Sequence, residues 1–236
     1  MKTIGLIGGM SWESTVHYYR HINEAVKARL GRLHSAQLVL VSVDFQPIEQ
    51  MQSAGQWQAA GEQLAACARG LAAAGAGCIV ICANTMHKVA PMIEAAVRLP
   101  LLHVTDATGA AIGRAGLARI GLLGTRYTMA EPFYTDRLRE RFALDVLVPG
   151  DADRAEANRI IFEELVLGRV LESSRVAMRG IMARLVDRGA QGIILGCTEF
   201  SLLIGDRDAS VPLFDTTLIH ARAAVDWALD GAHAAG

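Results

Sequence analysis

Residues 75–85, GAGCIVICANT, and residues 189–199, GAQGIILGCTE, are two versions of one phrase. Each runs Gly-Ala, a short apolar stretch, then a small polar cluster. An offset of 114 (189 − 75) aligns them and sets Ala83 opposite Cys197. A second pair, IGLIGG at 4–9 and IGLLGT at 120–125, repeats at 116 (120 − 4). A chain that repeats its strand-like phrases at half its length is constrained to fold as two similar lobes, and 236 residues supply two of about 110 each.

The class of those lobes follows from the pattern between the repeats. Short apolar runs recur at 3–8, 38–45, 78–83, 101–104, 118–124, 144–149, 192–197 and 211–214. They are continuous rather than alternating, as in strands covered on both faces. Helical stretches separate most of them, at 13–29, 57–74, 107–115, 130–141, 154–167 and 173–188. Strand–helix alternation of this kind builds parallel sheets from βαβ units. The expected fold is therefore α/β: two similar lobes, each a parallel sheet flanked by helices, pseudo-twofold related with the active site in the cleft between them. Gly75 and Gly189 each follow a helix where the next residue needs positive φ. The first lobe is expected over 1–103, with 211–236 crossing back to it, and the second over 104–210. The Ala-rich 228–236 is expected to fray.

Composition excludes several function classes. The formal charge of −1 gives no electrostatic footing for nucleic acid or an anionic membrane surface. No apolar run reaches the roughly 18 residues that span a bilayer. MKTIGLIGG enters a strand at once, without the apolar core and cleavage pattern of a secretory signal, so a cytoplasmic protein is expected. The four cysteines, Cys67, Cys78, Cys82 and Cys197, form no CxxC pair and have no His at zinc spacing. Neither a disulfide framework nor a structural metal is expected.

Ligands of open parallel sheets bind beyond the carboxyl ends of the strands. Four such ends carry small polar clusters: Gly8-Gly9-Met10-Ser11, Ala83-Asn84-Thr85, Gly124-Thr125-Arg126-Tyr127-Thr128 and Cys197-Thr198-Glu199. Ser11, Thr85 and Thr128 are expected helix N-caps. They would leave helix N–H groups for an anionic group such as a carboxylate or phosphate. GLIGGMSW is not a dinucleotide fingerprint, because it lacks the third glycine and Asp44 lies too far from Gly8. Among the thiols, Cys197 alone leaves an apolar strand into a polar cluster. Beside helix N–H groups its pKa is expected to be depressed, which suits a thiolate base or nucleophile. Asn84 and Thr85 can orient or donate, and His87 stands one turn on as an auxiliary titrating group. Cys78 and Cys82 read as inert core thiols.

Taken together, MKTIGLIGGMSWEST, NTMHK, GTRYTM and GCTE resemble the cofactor-independent aspartate/glutamate racemase family from end to end, nearest to its enterobacterial broad-specificity branch. The resemblance implies a two-lobed enzyme, usually a homodimer, that uses neither pyridoxal phosphate nor metal on a small amino-acid or dicarboxylate substrate. It implies two catalytic residues, one to remove the α-proton and one to return a proton to the other face. By motif these fall on Cys197 and on position 83, where most members have Cys, the enterobacterial ones Thr, and this chain Ala83. Substrate contacts carry over to Met10, Gln52, Ala83, Asn84, Thr85, Thr198 and Glu199, with Thr125 and Thr128 as carboxylate contacts.

Alanine has no exchangeable proton, so slow or one-sided racemisation is expected. Cys82 could substitute only if the strand ends or bulges before it, since a one-residue step turns the side chain to the other face. A single thiol leaves two alternatives open: a one-thiol decarboxylase or cis–trans isomerase of small dicarboxylates, and a cytoplasmic amino-acid binder without activity.

Overall fold

The computed structural model describes residues 1–230. Among them the chain forms two compact units, one from residues 1–103 together with His220 onward, the other from Val104–Ile219. Each is α/β, with one parallel sheet flanked by helices.

In the first unit β1 (Ile4–Gly8), α1 (Trp12–Leu30), β2 (Leu38–Ser42), α2 (Phe45–Ser53), α3 (Trp57–Ala73) and β3 (Cys78–Ile81) follow in order. A 3₁₀ turn (Thr85–Val89) and α4 (Ala90–Ala96) come next. The sheet order is β2-β1-β3, with Ile4 paired to both Leu38 and Cys78. β1 and β3 are buried along their whole length, which explains why their sequences are apolar without alternation. The two-residue period still assigns each side chain to a face. Ile4, Leu6, Cys78, Val80 and Cys82 pack with Tyr18, Ile22 and Val26 of α1. Ile7, Ile79, Ile81 and Ala83 pack with Leu64, Ala68 and Leu71 of α3.

The second unit holds α5 (Val104–Arg114), β4 (Arg119–Gly124), α6 (Arg126–Ala130), α7 (Pro132–Phe142), β5 (Asp145–Leu147) and α8 (Asp151–Glu163). It continues through α9 (Glu172–Asp187), β6 (Ile193–Gly196), the short α10 (Phe200–Leu203) and β7 (Leu213–Asp215). The final helix, α11 (Thr216–Leu229), begins here and contributes from His220 onward to the first unit. The sheet order is β5-β4-β6-β7, all parallel.

The internal repeat is visible in helix endings. After α3, Gly75 takes φ +88°, its N–H bonds the Ala72 carbonyl, and the Ala76 N–H bonds that of Leu71. After α9, Gly189 takes φ +96°, with the same two bonds to Val186 and Leu185. Both are Schellman caps, and each turns the chain straight into a central strand.

Three expectations are corrected. The run at 101–104 is not a strand: Leu101 makes one bridge to Ile79, and α5 begins at Val104. Asp106 in its first turn favours that start through the helix dipole. The run at 38–45 stops at Ser42, because Asp44 takes an extended backbone and its carboxylate accepts from the Gln46 N–H, opening α2. The return to the first unit occurs at His220 rather than 211, since Leu213 and Phe214 pair with Ile193 and Ile194 of β6. Of the segment expected to fray, Ala228 and Leu229 are buried and 231–236 lie outside the described residues. No helix among the described residues is long and apolar enough to cross a membrane.

Candidate active site

In the first unit the site is built at the carboxyl ends of β1 and β3. Gly9 follows β1 with φ +91°, and a Cβ there would stand 2.1 Å from the Val43 carbonyl oxygen. Only glycine fits, and the Gly9 N–H is then free to bond Thr15 Oγ1 at 2.8 Å. Thr15 Oγ1 in turn donates to the Ser11 carbonyl at 2.8 Å, tying the turn to the start of α1. Ser11 caps α1 as expected, accepting from the Ser14 N–H at 3.4 Å.

Beyond β3, Ala83, Asn84 and Thr85 are all buried. Thr85 is not a cap. It opens the 3₁₀ turn, and Asn84 before it is already helical (φ −74°, ψ −52°), so neither offers the extended geometry that a capping side chain requires. Gln52, the buried polar residue of α2, reaches the same group of side chains by donating to Met86 Sδ at 3.0 Å. Met10, Ala83 and Met86 belong to one cluster. Cys82 packs on the opposite face beside Tyr18 and Ile22, and burial pushes its thiol far up. The strand does not bulge, so Cys82 remains a core thiol and is no stand-in for position 83.

His87 donates from Nδ1 to the Ala83 carbonyl at 2.8 Å. Burial, then the nearby rings of His103 and His220, hold its pKa well below the ordinary histidine value. The expected titrating group is therefore a neutral imidazole at physiological pH.

In the second unit Gly124 pairs with Gly196, so Thr125 and Cys197 leave neighbouring strand ends. The cap of α6 is Thr125 rather than Thr128: Thr125 Oγ1 accepts from the Thr128 N–H at 3.3 Å. The two hydroxyls lie 3.2 Å apart, and the Thr128 side chain is fully enclosed.

Cys197, Thr198 and Glu199 form one hydrogen-bonded group. Cys197 Sγ–H donates to Glu199 Oε2 at 3.0 Å, and Thr198 Oγ1–H donates to the same oxygen at 2.9 Å. All three are buried. This overturns the expectation of a depressed thiol pKa. Burial, then the charge of Glu199, then the hydrogen bond to it push the Cys197 thiol well above its ordinary value. A backbone N–H pulls the other way and is outweighed. Helix α10 has four residues, too short a dipole to reverse the balance.

The sequence matches the family model of Asp/Glu/Hydantoin racemase over residues 7–224. The chain belongs to that family. Its fold agrees with a candidate Asp/Glu racemase from Yersinia pestis, 58% identical over 97% of this chain and 100% of that one, with a TM-score of 0.91. An aspartate racemase homologue from Pyrococcus horikoshii OT3 is 37% identical over 97% of this chain and 99% of that one, with a TM-score of 0.83. A glutamate racemase from Shewanella loihica is 28% identical over 127 residues, which cover 53% of this chain and 45% of that protein.

Within this racemase-family fold, the first unit gathers Met10, Ser11, Gln52, Ala83, Asn84, Thr85 and His87 at or beside the ends of β1 and β3. The second gathers Thr125, Thr128, Cys197, Thr198 and Glu199 at the ends of β4 and β6. Cys82 is the one candidate turned elsewhere. Sequence reasoning missed His103 and His220, whose rings pack on His87, and Tyr18, which bonds His220. An isolated histidine or tyrosine on an apolar helix face carries no local signal of its partners, and their contacts join residues up to 202 positions apart.

Proposed function

We propose that the protein is a cofactor-independent amino-acid racemase acting on aspartate, glutamate or related amino acids, with Cys197 as its one thiol acid–base. The observation that carries this reading is the buried Cys197–Glu199 hydrogen bond at a strand end of a racemase-family fold. Transfer of the proton along that 3.0 Å bond gives a thiolate and a neutral Glu199 with no change in net charge, so the dry site need not absorb a new ion. The thiolate then removes the α-proton, forming an S–H bond as the C–H electron pair becomes the carbanion. Thr198, Asn84 and Thr85 supply polar hydrogens for the substrate carboxylates and for the charge that grows in the transition state.

Position 83 makes the reaction lopsided. Ala83 offers no proton to the opposite face, and loss of one positioned acid costs about 10²–10⁴ in rate. The carbanion then collects its proton mostly from Cys197, the side it left. Solvent deuterium should enter Cα much faster than the enantiomer accumulates. Incubation of L-aspartate and L-glutamate in D₂O, followed by NMR for exchange and chiral chromatography for inversion, tests this. Ala83→Thr or Ala83→Cys should raise inversion toward the exchange rate, and Cys197→Ala should abolish both. Absence of exchange with every amino acid at high enzyme concentration refutes the reading. The methyl at 83 also favours a second reading, a one-thiol decarboxylase or cis–trans isomerase of small dicarboxylates. That enzyme turns over a malonate or maleate in a Cys197-dependent way and exchanges no amino acid.

A further inference from the structure

Three buried histidines of the first unit meet at its second strand end. His103 closes the unit's first stretch of chain and His220 opens its second. Both rings pack on His87, with centroids 4.5 and 5.7 Å away. All three are buried, and among the described residues no group of His, Cys, Asp or Glu is arranged to hold a metal.

Their hydrogen bonds fix where the protons are. A carbonyl oxygen can only accept, so His220 Nε2 carries a proton and donates it to the Leu102 carbonyl at 2.6 Å. Its Nδ1 is then bare and accepts from the Tyr18 hydroxyl at 2.9 Å. By the same reasoning His87 carries its proton on Nδ1 and donates it to the Ala83 carbonyl. The result is a column that starts at Tyr18 on α1, passes by hydrogen bond to His220 on α11, continues through an edge contact between the His220 and His87 rings, and ends at the Ala83 carbonyl. The Tyr18 ring meets His220 edge-on at 5.7 Å, so packing holds the column together as well.

We propose that Tyr18, His220 and His87 are positioning residues that hold the Ala83 carbonyl, and with it the Ala83-Asn84-Thr85 backbone on which the substrate rests. This rests on the racemase reading above and extends it to residues that touch no substrate. Carbonyl 83 belongs to the peptide whose other end is the Asn84 N–H, so its tilt sets the direction of that donor. A misplacement of about 1 Å in such a group can cost about 10²-fold in rate.

Two measurements on the full chain test the proposal. Histidine ¹⁵N NMR at neutral pH should show His87 as the Nδ1–H tautomer and His220 as the Nε2–H tautomer. The opposite tautomer at His87, or a charged ring there, overturns the column. The second measurement is α-deuterium exchange of L-aspartate and L-glutamate. His87→Leu removes the donor and should lower kcat about 10²-fold, whereas His87→Asn keeps an N–H near the Nδ1 position and should recover most of it. Tyr18→Phe keeps the ring and should lower kcat about tenfold, with KM changed less. Equal rates in the Leu and Asn variants, or rates that follow melting temperature rather than donor identity, overturn the positioning role. Failure of the racemase reading looks different. The wild type then exchanges no amino acid while the tautomers stay as assigned, and the role proposed for the column falls with it.

Discussion

Acidification should destabilise this fold through His220, by an amount that can be worked out. The ring is fully buried between Tyr18 and the Leu102 carbonyl, and burial lowers its pKa from 6.5 to about 4. The unfolded chain therefore takes up a proton at a higher pH than the folded one. Stability is complete above about 6.5, falls as pH drops toward 4, and levels off below that. The full loss is the gap of 6.5 to about 4 multiplied by about 1.4 kcal/mol per pH unit, or about 3 kcal/mol, and about 2 kcal/mol of it is gone by pH 5. His87 adds to the loss in the same direction. Against a total stability of roughly 5–15 kcal/mol this is readily measured. Urea unfolding at pH 7.5 and pH 5.0, for wild type and His220→Gln, isolates it, because exposed carboxylates titrate alike in both. The variant should be less stable at pH 7.5 by about 1–3 kcal/mol, having left Tyr18 and Leu102 poorly partnered. It should lose about 2 kcal/mol less than wild type on going to pH 5. Parallel pH curves for the two proteins would refute the assignment of a neutral, hydrogen-bonded His220.

Three further outcomes follow from single positions beside the strands. Gly9→Ala forces a Cβ to 2.1 Å from a backbone oxygen at φ +91° and should cost about 3 kcal/mol or more, read from urea midpoints. Gly75→Ala has a similar φ of +88° but open space around it, and should cost only about 1 kcal/mol. Glu199→Gln removes the charge that helps hold the Cys197 proton in place, so the thiol pKa should fall and alkylation by iodoacetamide at pH 8 should speed up. An unchanged alkylation profile would mean that burial alone sets the thiol.

What could be read in the chain was what is local. Continuous apolar runs such as CIVI and IILG, ended by glycines and small polar residues, marked central strands and the ends that carry the candidate site, because coverage on both faces leaves its imprint residue by residue. The Gly75 and Gly189 turns were legible for the same reason: a positive φ leaves a glycine behind. Where two local signals competed, the stronger hid the weaker. In LVLVSVDF the β-branched run masked the Asp44 cap, and with it the helix that carries Gln52. The place of 211–219 was not legible at all. Val211–Phe214 would suit an edge of any sheet, and only the pairing of Leu213 with Ile193, twenty residues away, decides which.

Cys197 shows the same limit at the level of chemistry. Its chain neighbours include backbone N–H groups, which lower a thiol pKa, and a glutamate, whose direction a sequence does not reveal. Packing turned that carboxylate onto the sulfur at 3.0 Å and sealed both from water, and those two effects outweigh the amide. The resting group is therefore a thiol that already has a proton acceptor in contact, rather than a free thiolate. Such a pair can switch from acid to base by moving one proton within the protein. A thiolate stabilised by helix amides alone would carry only the proton it had just removed, with no second proton beside it to exchange. In the racemase proposed above, that second proton is what would let deuterium from solvent reach the sulfur and then the same carbon.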